Sequence, residues 1–160
     1  MTLLTAPLTM IDGRETTFAE FGDKVVLVVN VASRCGLTPQ YEALEQLQKN
    51  YGPMGFTVLG LPTNQFLQEL SSEDKISEYC STTWGVSFPM TARIKVNGAG
   101  RHALYKTLVK TKDHAGLAGP VVWNFEKFLV GRDGQITRFR PTTKPDAPEV
   151  IAAIEAALSN

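Results

Sequence analysis

The sequence predicts an α/β fold with a mixed central sheet, and three features of the chain support this. An unbroken run of β-branched and apolar residues, 24 to 33, precedes a helix-like segment and a second apolar run, 56 to 61. Strand, helix and strand in this order are typical of a parallel pair with a right-handed crossover. A hairpin pattern over residues 126 to 139 would then add antiparallel strands to the sheet.

The first half of the chain supplies the hairpin and the parallel unit. LTMIDGRETTF predicts two short strands that turn at Asp12-Gly13, a typical hairpin dipeptide. KVVLVVNVAS, residues 24 to 33, has the composition of a strand that is buried on both faces. Thr38 and Pro39 then predict a helix start, with Thr38 as the N-cap and Pro39 at the first helical position, and apolar residues follow at helical spacing as far as Gly52.

The second half of the chain supplies helices for both faces of the sheet. A helix is predicted to begin at Ser71 or Ser72, since SSED offers N-caps and acidic first-turn residues. One face of that helix would carry Ile76, Tyr79, Cys80 and Thr83. The remaining predicted elements are a strand over 93 to 96, a short helix over 102 to 110, the hairpin about Asp133-Gly134 and a closing helix over 148 to 158. This order describes a thioredoxin-like fold with an N-terminal hairpin.

Length and composition limit the classes of function. A chain of 160 residues with 43% hydrophobic residues is expected to form one domain, residues 1 to 160. Sixteen basic residues balance sixteen acidic ones, which argues against nucleic acid or an anionic membrane as a partner. The longest apolar stretch, residues 25 to 32, is far shorter than the roughly 20 residues of a membrane helix. The N terminus lacks a basic leader, so we expect a cytoplasmic protein.

The two cysteines, Cys35 and Cys80, carry the most informative chemistry. Cys35 follows a buried strand and precedes a helix, where unpaired N–H groups and the helix dipole favour a thiolate. A small buried hydrophobic residue is the alternative interpretation. The residue three places further on is Thr38, so a C-x-x-C dithiol is excluded. His102 and His114 lack neighbouring metal-ligand residues, so no metal site is predicted.

Five segments together are similar to the glutathione peroxidase family. They occur in the family's order, cover nearly the whole chain, and read NVASRCGLTPQYEALEQL, FTVLGLPTNQFLQEL, ISEYCSTTWGVSFPM, IKVNGAGRHALY and VVWNFEKFLVGRDGQITRFRP. The resemblance is to the bacterial, cysteine-type, two-cysteine members. It implies a thioredoxin-like fold and the reduction of hydroperoxides, with Cys35 as the peroxidatic residue.

The resemblance also implies the groups around the peroxidatic sulfur. Trp123 and Asn124, in WNF, match the family's tryptophan and asparagine. Gln68 is the predicted site glutamine and Gln65 the alternative, because this block is one residue shorter than usual. Leu70 and Ser71 also stand where the family has Pro-Gly. These neutral donors could stabilise a thiolate and the leaving oxygen, although a lone tryptophan is more often a core residue.

Cys80 matches the resolving cysteine of the two-cysteine members, and a buried helical cysteine is its alternative interpretation. The resemblance implies that its helix unwinds locally so that the Cys35 sulfenic acid can form a disulfide with Cys80. We expect thioredoxin to reduce this disulfide. Glutathione is the weaker candidate because it would need basic residues at the site. The basic residues available for that role are Arg34, Arg93, Arg138, Arg140 and Lys144.

The remaining expectations concern assembly and competing functions. The segment between Leu108 and Trp123 is shorter than in tetrameric relatives, so a monomer without a prosthetic group is expected. A peroxide sensor or redox relay, which would pass oxidation from Cys35 to a partner protein, is the main alternative to a peroxidase. A non-catalytic binding module with a thioredoxin fold is the third reading.

Overall fold

The computed structural model describes residues 3 to 160 of the chain. Short 3-10 turns and one π-helical turn, Cys80–Trp84, separate some of the regular elements. In chain order, the strands and helices are β1 (Pro7–Thr9), β2 (Glu15–Thr17), β3 (Val25–Val31), α1 (Gln40–Tyr51), β4 (Phe56–Pro62), α2 (Glu73–Tyr79), α3 (Ala103–Leu108), β5 (Lys127–Val130), β6 (Ile136–Phe139) and α4 (Pro148–Leu158).

The central sheet is mixed, with strand order β4-β3-β5-β6. β3 pairs in parallel with β4, where Val28 lies opposite Leu59, and antiparallel with β5, where Val28 lies opposite Phe128. β5 and β6 form the predicted hairpin. Every residue of β3 is buried because both of its faces are covered. The prediction of a thioredoxin-like α/β fold is therefore confirmed.

Alternate residues of β3 enter two separate cores. Leu27 and Val29 belong to a core with α1 and α4, whereas Val26 and Val28 belong to a core with α3 and the N-terminal hairpin. The first core also contains both cysteines, Cys35 and Cys80. The sheet thus places the two sulfur atoms in the same layer of the molecule.

Most predicted elements are present, with small differences at their ends. The hairpin of β1 and β2 turns at Gly13, whose φ of 92° is accessible to glycine. Ser72 is the N-cap of α2, and its side chain accepts a hydrogen bond from the Lys75 N–H. α4 has the predicted bounds. α2 does not continue as a regular helix through Thr83, because a π turn begins at Cys80.

The predicted strand over residues 93 to 96 is wrong. The backbone N–H groups of this segment are bound by groups that do not lie along one strand. The Ile94 N–H donates to the carbonyl of Pro62, at the very end of β4, while the Val96 N–H donates to the Gln65 side chain. The segment therefore crosses the end of β4 as irregular chain. Among residues 3 to 160, no helix has the length and hydrophobicity needed to cross a bilayer.

Candidate active site

The loop between β3 and α1 holds Cys35, and Thr38 fixes its shape. The Thr38 hydroxyl accepts the N–H of Cys35 at 2.9 Å and donates to the carbonyl of Ala32 at 2.9 Å. The prediction that Thr38 caps α1 is therefore wrong, because its side chain is used inside the loop. Pro39 occupies the N-cap position without a side-chain hydrogen bond. The result is a closed loop that holds Cys35 at the end of the sheet.

Two N–H groups point at the sulfur of Cys35. The indole Nε1 of Trp123 lies 3.0 Å from Sγ, and the backbone N of Leu37 lies 3.4 Å from it. Cys35 is only 6% exposed, whereas Trp123 is 37% exposed. Both donors are neutral and would stabilise negative charge on the sulfur. The structure brings Cys35 and Trp123 together, as the sequence predicts.

The turn before β5 sets the position of Trp123. The side chain of Asn30, in β3, donates to the Trp123 carbonyl at 3.1 Å and accepts the Glu126 N–H at 3.1 Å. Phe125 has a φ of 64°, an uncommon value for a residue with a side chain. The indole also contacts the Phe66 ring, with 5.4 Å between centroids. Trp123 is thus held at the surface by a turn that β3 anchors, and it is not a core tryptophan.

Asn124 is fully buried, but its amide is unused. Neither its Oδ1 nor its Nδ2 atom has a hydrogen-bond partner within residues 3 to 160. Buried polar groups in proteins are nearly always paired, since an unpaired one costs about 1 to 3 kcal/mol. Its neighbour Trp123 already contacts Cys35. The structure therefore leaves the Asn124 amide buried and unpaired, and among the described residues it makes no hydrogen bond to the Cys35 sulfur.

The two candidate glutamines have different surroundings. The Gln65 side chain accepts the N–H groups of Val96 and Asn97 at 2.6 and 3.0 Å and donates to the Asn97 carbonyl, so it fixes a distant loop. The Gln68 carbonyl accepts the Arg34 N–H at 2.8 Å, beside Cys35. Its half-buried side-chain amide makes no hydrogen bond to the part of the chain that the structure describes. The geometry favours Gln68 over Gln65 as the site glutamine.

Cys80 lies at the junction of α2 and the π turn, and its thiol is free. It is only 2% exposed, and burial raises the pKa of its thiol to about 11. Burial is the main cause, the charge of the Glu69 carboxyl raises the pKa of this thiol further, and Tyr41 lowers it. In this conformation Cys80 is thus held as a protonated thiol.

Sequence reasoning missed Glu69, a buried carboxyl group next to Gln68. Its Oε1 accepts the N–H groups of Ser33 and Leu70 at 3.0 and 2.8 Å. Its Oε2 is buried and has no partner in the described residues. Burial raises the pKa of this carboxyl above its usual value. The signal available in the sequence was an acidic residue between the predicted site residue Gln68 and the apolar Leu70.

Most basic residues proposed for a glutathione site are used elsewhere. Arg93 pairs with Glu73 at 2.6 Å. Arg138 and Arg140 both pair with the buried carboxyl of Glu126. The two others, Arg34 and Lys144, are exposed and make no ion pair within residues 3 to 160. Lys144 lines a cleft of about 650 Å³ that also reaches Gly36 and Leu37, just after Cys35.

Comparisons with known proteins agree with these features. Residues 4–109 match the family model described as glutathione peroxidase. Thioredoxin/glutathione peroxidase BtuE of Escherichia coli is 48% identical, over 98% of this chain and 97% of its own. Hydroperoxy fatty acid reductase Gpx2 of Synechocystis is 46% identical, over 97% of this chain and 98% of its own.

A similar crystal structure, Trgpx in apo form, has a TM-score of 0.77 and 37% identity, and covers 100% of this chain and 97% of that one. A thioredoxin-family thiol:disulfide interchange protein of Chlorobium tepidum, 19% identical with a TM-score of 0.63, has the same fold and covers 99% of this chain and 97% of that one. The match to the family model spans well over half of the sequence. The chain therefore belongs to the glutathione peroxidase family and is a peroxidase.

Proposed function

We propose that this protein reduces hydroperoxides through Cys35, forms a disulfide with Cys80 and is returned to the dithiol state by thioredoxin. The observation that carries the proposal is the 3.0 Å contact between the Trp123 indole N–H and the Cys35 sulfur. A tryptophan used only for packing would not need to aim its single polar group at a cysteine. The whole chain, residues 1 to 160, would work as one domain.

The first step is the attack of the Cys35 thiolate on one oxygen of the hydroperoxide. The S–O bond forms as the O–O bond breaks, so Cys35 is oxidised to the sulfenic acid and the peroxide is reduced. The departing alkoxide or hydroxide takes a proton and leaves as alcohol or water. Trp123 donates to the sulfur, and the unused amides of Gln68 and Asn124 would stabilise the developing charge on oxygen.

The second step joins Cys35 to Cys80 and releases water. Both cysteines belong to the same apolar core. α2 has only seven residues, and the π turn that follows it ends at Gly85 with a left-handed backbone. Short helices are marginal without packing, and π turns occur frequently at functional sites. Local unwinding from Cys80 onward would release its sulfur toward Cys35.

Thioredoxin is the reductant that the observations favour. An intramolecular disulfide is reduced efficiently by a dithiol protein, and the similar E. coli protein carries thioredoxin first in its name. Three of the five basic residues that could bind glutathione carboxylates are held in ion pairs. The absence of a prosthetic group, the monomeric state and the cytoplasmic location stay predictions.

Intact mass after one equivalent of hydroperoxide, with no reductant present, tests the proposal. We expect the wild-type protein to lose two hydrogens, because a Cys35–Cys80 disulfide forms. Cys80→Ser should instead gain one oxygen, and Cys35→Ser should stay unchanged. A wild-type protein that gains oxygen without losing two hydrogens would remove Cys80 from the cycle. Reaction of Cys35→Ser at the wild-type rate would overturn the peroxidatic role.

A further inference from the structure

An apolar patch at the surface borders Cys35 on the side of Trp123. It consists of two exposed aliphatic side chains and two aromatic rings, namely Leu67, Val122, Phe66 and Trp123. Leu67 is 84% exposed and Val122 is 63% exposed, whereas Phe66 is half-buried. The rings of Phe66 and Trp123 are in contact, and the Trp123 indole N–H donates to the Cys35 sulfur. The patch therefore continues from the sulfur to the surface.

Hydrogen bonds through Asn97 join the two segments that form the patch. The Gln65 side chain accepts the Asn97 N–H at 3.0 Å and donates to the Asn97 carbonyl at 2.9 Å. The Asn97 side chain accepts the Val121 N–H at 2.9 Å and donates to the Val121 carbonyl. Gln65 lies two residues before Leu67, and Val121 directly precedes Val122. Both exposed side chains thus belong to a surface that is already formed in the free protein.

The backbone of Leu67 is left-handed, with a φ of 58°. This conformation is uncommon for a residue with a side chain, and exposing a leucine side chain to water is also unfavourable. Leu67 stands in the block that is one residue shorter than is usual in the glutathione peroxidase family. Backbone strain of this kind clusters at ligand-binding and active sites. Strain and exposure at one residue beside the Cys35 sulfur together indicate a surface that an apolar group covers.

The surroundings of the patch fit a neutral group. Residues 56 to 68 and 115 to 124 contain no Asp, Glu, Lys, Arg or His. Cys35 and Cys80 are both free thiols, so this surface belongs to the form of the protein that meets the peroxide. Thioredoxin would act only later, on the disulfide. The carbon chain of an organic hydroperoxide is neutral and apolar, as the patch requires.

We propose that this patch binds the alkyl group of organic hydroperoxides, and that Leu67 gives the enzyme its preference for substrates with an extended apolar chain. This inference rests on the peroxidatic role of Cys35 proposed above. The Cys35 thiolate bonds to the terminal oxygen of the hydroperoxide, the O–O bond breaks, and the alkoxide takes a proton and leaves as alcohol. The chain is attached to the leaving oxygen, so it lies on the surface that borders the sulfur. Leu67 and Val122 would shield it there from water.

Single-turnover oxidation of Cys35 by three peroxides tests the proposal. Reduced protein is mixed with hydrogen peroxide, ethyl hydroperoxide or hexyl hydroperoxide, quenched with acid at a series of times, and followed by intact mass. Hexyl hydroperoxide should oxidise the wild-type protein about tenfold faster than ethyl hydroperoxide, because more of the longer chain leaves water. Equal rates with the two alkyl hydroperoxides would overturn the proposal.

The variant Leu67→Asn removes the apolar side chain and keeps the loop, because asparagine adopts the left-handed conformation more readily than leucine. It should lower the ratio of the hexyl rate to the ethyl rate about threefold, since part of one apolar contact is lost. Its rate with hydrogen peroxide should stay at the wild-type value. An equal fall with all three peroxides would mean that Leu67 only shapes the loop of Gln68, and the proposal would be wrong.

Two other variants check the location of the effect. Val122→Thr keeps the shape of the side chain on the second segment and should lower the same ratio about twofold. It also decides the test if Leu67→Asn does not fold, because an unchanged ratio would then contradict the proposal. Met54 is 62% exposed and precedes β4, at the end of the parallel pair opposite to Cys35. Met54→Gln should therefore change none of the rates, and an equal fall of the ratio in this variant would overturn the role of the patch.

The reductant provides the remaining distinction. If Leu67→Asn kept the wild-type ratio but had a raised KM for thioredoxin, the patch would serve the reductant and the proposal would be wrong. If no hydroperoxide oxidised Cys35, the peroxidatic role itself would be refuted. An unchanged chain-length ratio would leave that role intact and refute only the assignment of the patch.

Discussion

Cys35 and Cys80 are both buried in the same core, yet their surroundings differ. The sulfur of Cys35 receives N–H groups from Trp123 and Leu37, and a loop that Thr38 closes holds it at the end of the sheet. Cys80 lies at the start of a π turn, and burial raises the pKa of its thiol to about 11. The two cysteines therefore share their burial and differ in the hydrogen-bond donors that face the sulfur.

The difference matches the two halves of the proposed reaction cycle. A sulfur with preorganised donors can carry negative charge at little cost, as the attack on a peroxide requires. A thiol that is protonated and buried in a helical segment would be protected from peroxide until the proposed opening of that segment. In the proposed cycle, the same residue type would perform two roles because β3 ends in a closed loop, whereas α2 ends in a short irregular turn.

The largest expected effect on peroxide consumption comes from replacing each cysteine by serine in turn. Cys35→Ser should abolish thioredoxin-coupled peroxide consumption, since the hydroxyl is not a nucleophile at neutral pH. Cys80→Ser should also stop steady turnover with thioredoxin, but it should still consume one equivalent of peroxide. Stopped-flow consumption of hydrogen peroxide under single-turnover conditions distinguishes the two variants.

The turnover of Cys80→Ser depends on which reductant is supplied. Glutathione added in place of thioredoxin should give at most slow turnover in this variant. Unchanged turnover of Cys80→Ser with thioredoxin would contradict the resolving role of Cys80. Rapid turnover with glutathione would move the assignment of the reductant to glutathione.

The next largest effect should follow loss of the indole N–H. Trp123→Phe keeps an aromatic ring against Phe66 but removes the donor to the Cys35 sulfur. A hydrogen bond to a charged group contributes about 1.5 to 3 kcal/mol, so the rate of Cys35 oxidation should fall about 10- to 100-fold. The single-turnover rate with excess peroxide measures this step. An unchanged rate would reduce Trp123 to a packing residue.

The fold was largely predictable because its signals are local. The apolar run of β3, the Asp12-Gly13 and Asp133-Gly134 turns and the Ser72 cap each act within a few residues. The strand predicted over 93 to 96 was wrong for a non-local reason, namely that its N–H groups donate to the Pro62 carbonyl and to the side chains of Gln65 and Glu73. Likewise, Thr38 resembles an N-cap in sequence, but its hydroxyl accepts the Cys35 N–H and donates to the Ala32 carbonyl instead.

The site residues that stand in segments similar to the family were predictable from the sequence. A residue that is distinguished only by its burial was not. Cys35 and Trp123 stand in two such blocks, and the structure brings them into contact. The sequence predicts Gln68 with Gln65 as the alternative, and the structure adds what sequence does not reveal, namely that the Gln65 side chain is occupied by Val96 and Asn97. Glu69 escaped notice because a carboxylate in sequence carries no sign that it will be buried with one oxygen unpaired.

Two buried asparagines allow a sharper test of which groups assist the oxidation of Cys35. Asn30 is fully used by Trp123 and Glu126, whereas the amide of Asn124 has no partner in residues 3 to 160. Asn124→Leu should lower the rate of Cys35 oxidation about tenfold, the equivalent of about 1.4 kcal/mol, and leave the free energy of unfolding unchanged or raise it, because a buried unpaired amide is removed. Asn30→Leu should lower that free energy by about 2 to 4 kcal/mol, because two buried backbone groups lose their partner.

Urea unfolding of both variants, together with their single-turnover rates, checks this contrast. A large loss of stability in Asn124→Leu with an unchanged oxidation rate would make Asn124 a structural residue. A similar loss of rate in Asn30→Leu alone would place the effect in the position of Trp123, since Asn30 anchors its carbonyl.

The smallest expected effect concerns helix α2, which precedes Cys80, and here a destabilising substitution is expected to increase a rate. Ser72→Ala removes the side-chain cap of α2, whose hydroxyl accepts the Lys75 N–H at 3.2 Å, and such a loss costs a helix about 1 kcal/mol. If opening of this segment limits disulfide formation, the destabilised helix should form the Cys35–Cys80 disulfide up to about fivefold faster. Oxidation of Cys35 should keep its rate, because the two N–H groups that the structure shows donating to that sulfur, from Trp123 and Leu37, lie outside α2. A slower disulfide step would mean that α2 must stay folded to present Cys80, and the contrast between a rigid and an opening cysteine would then be wrong.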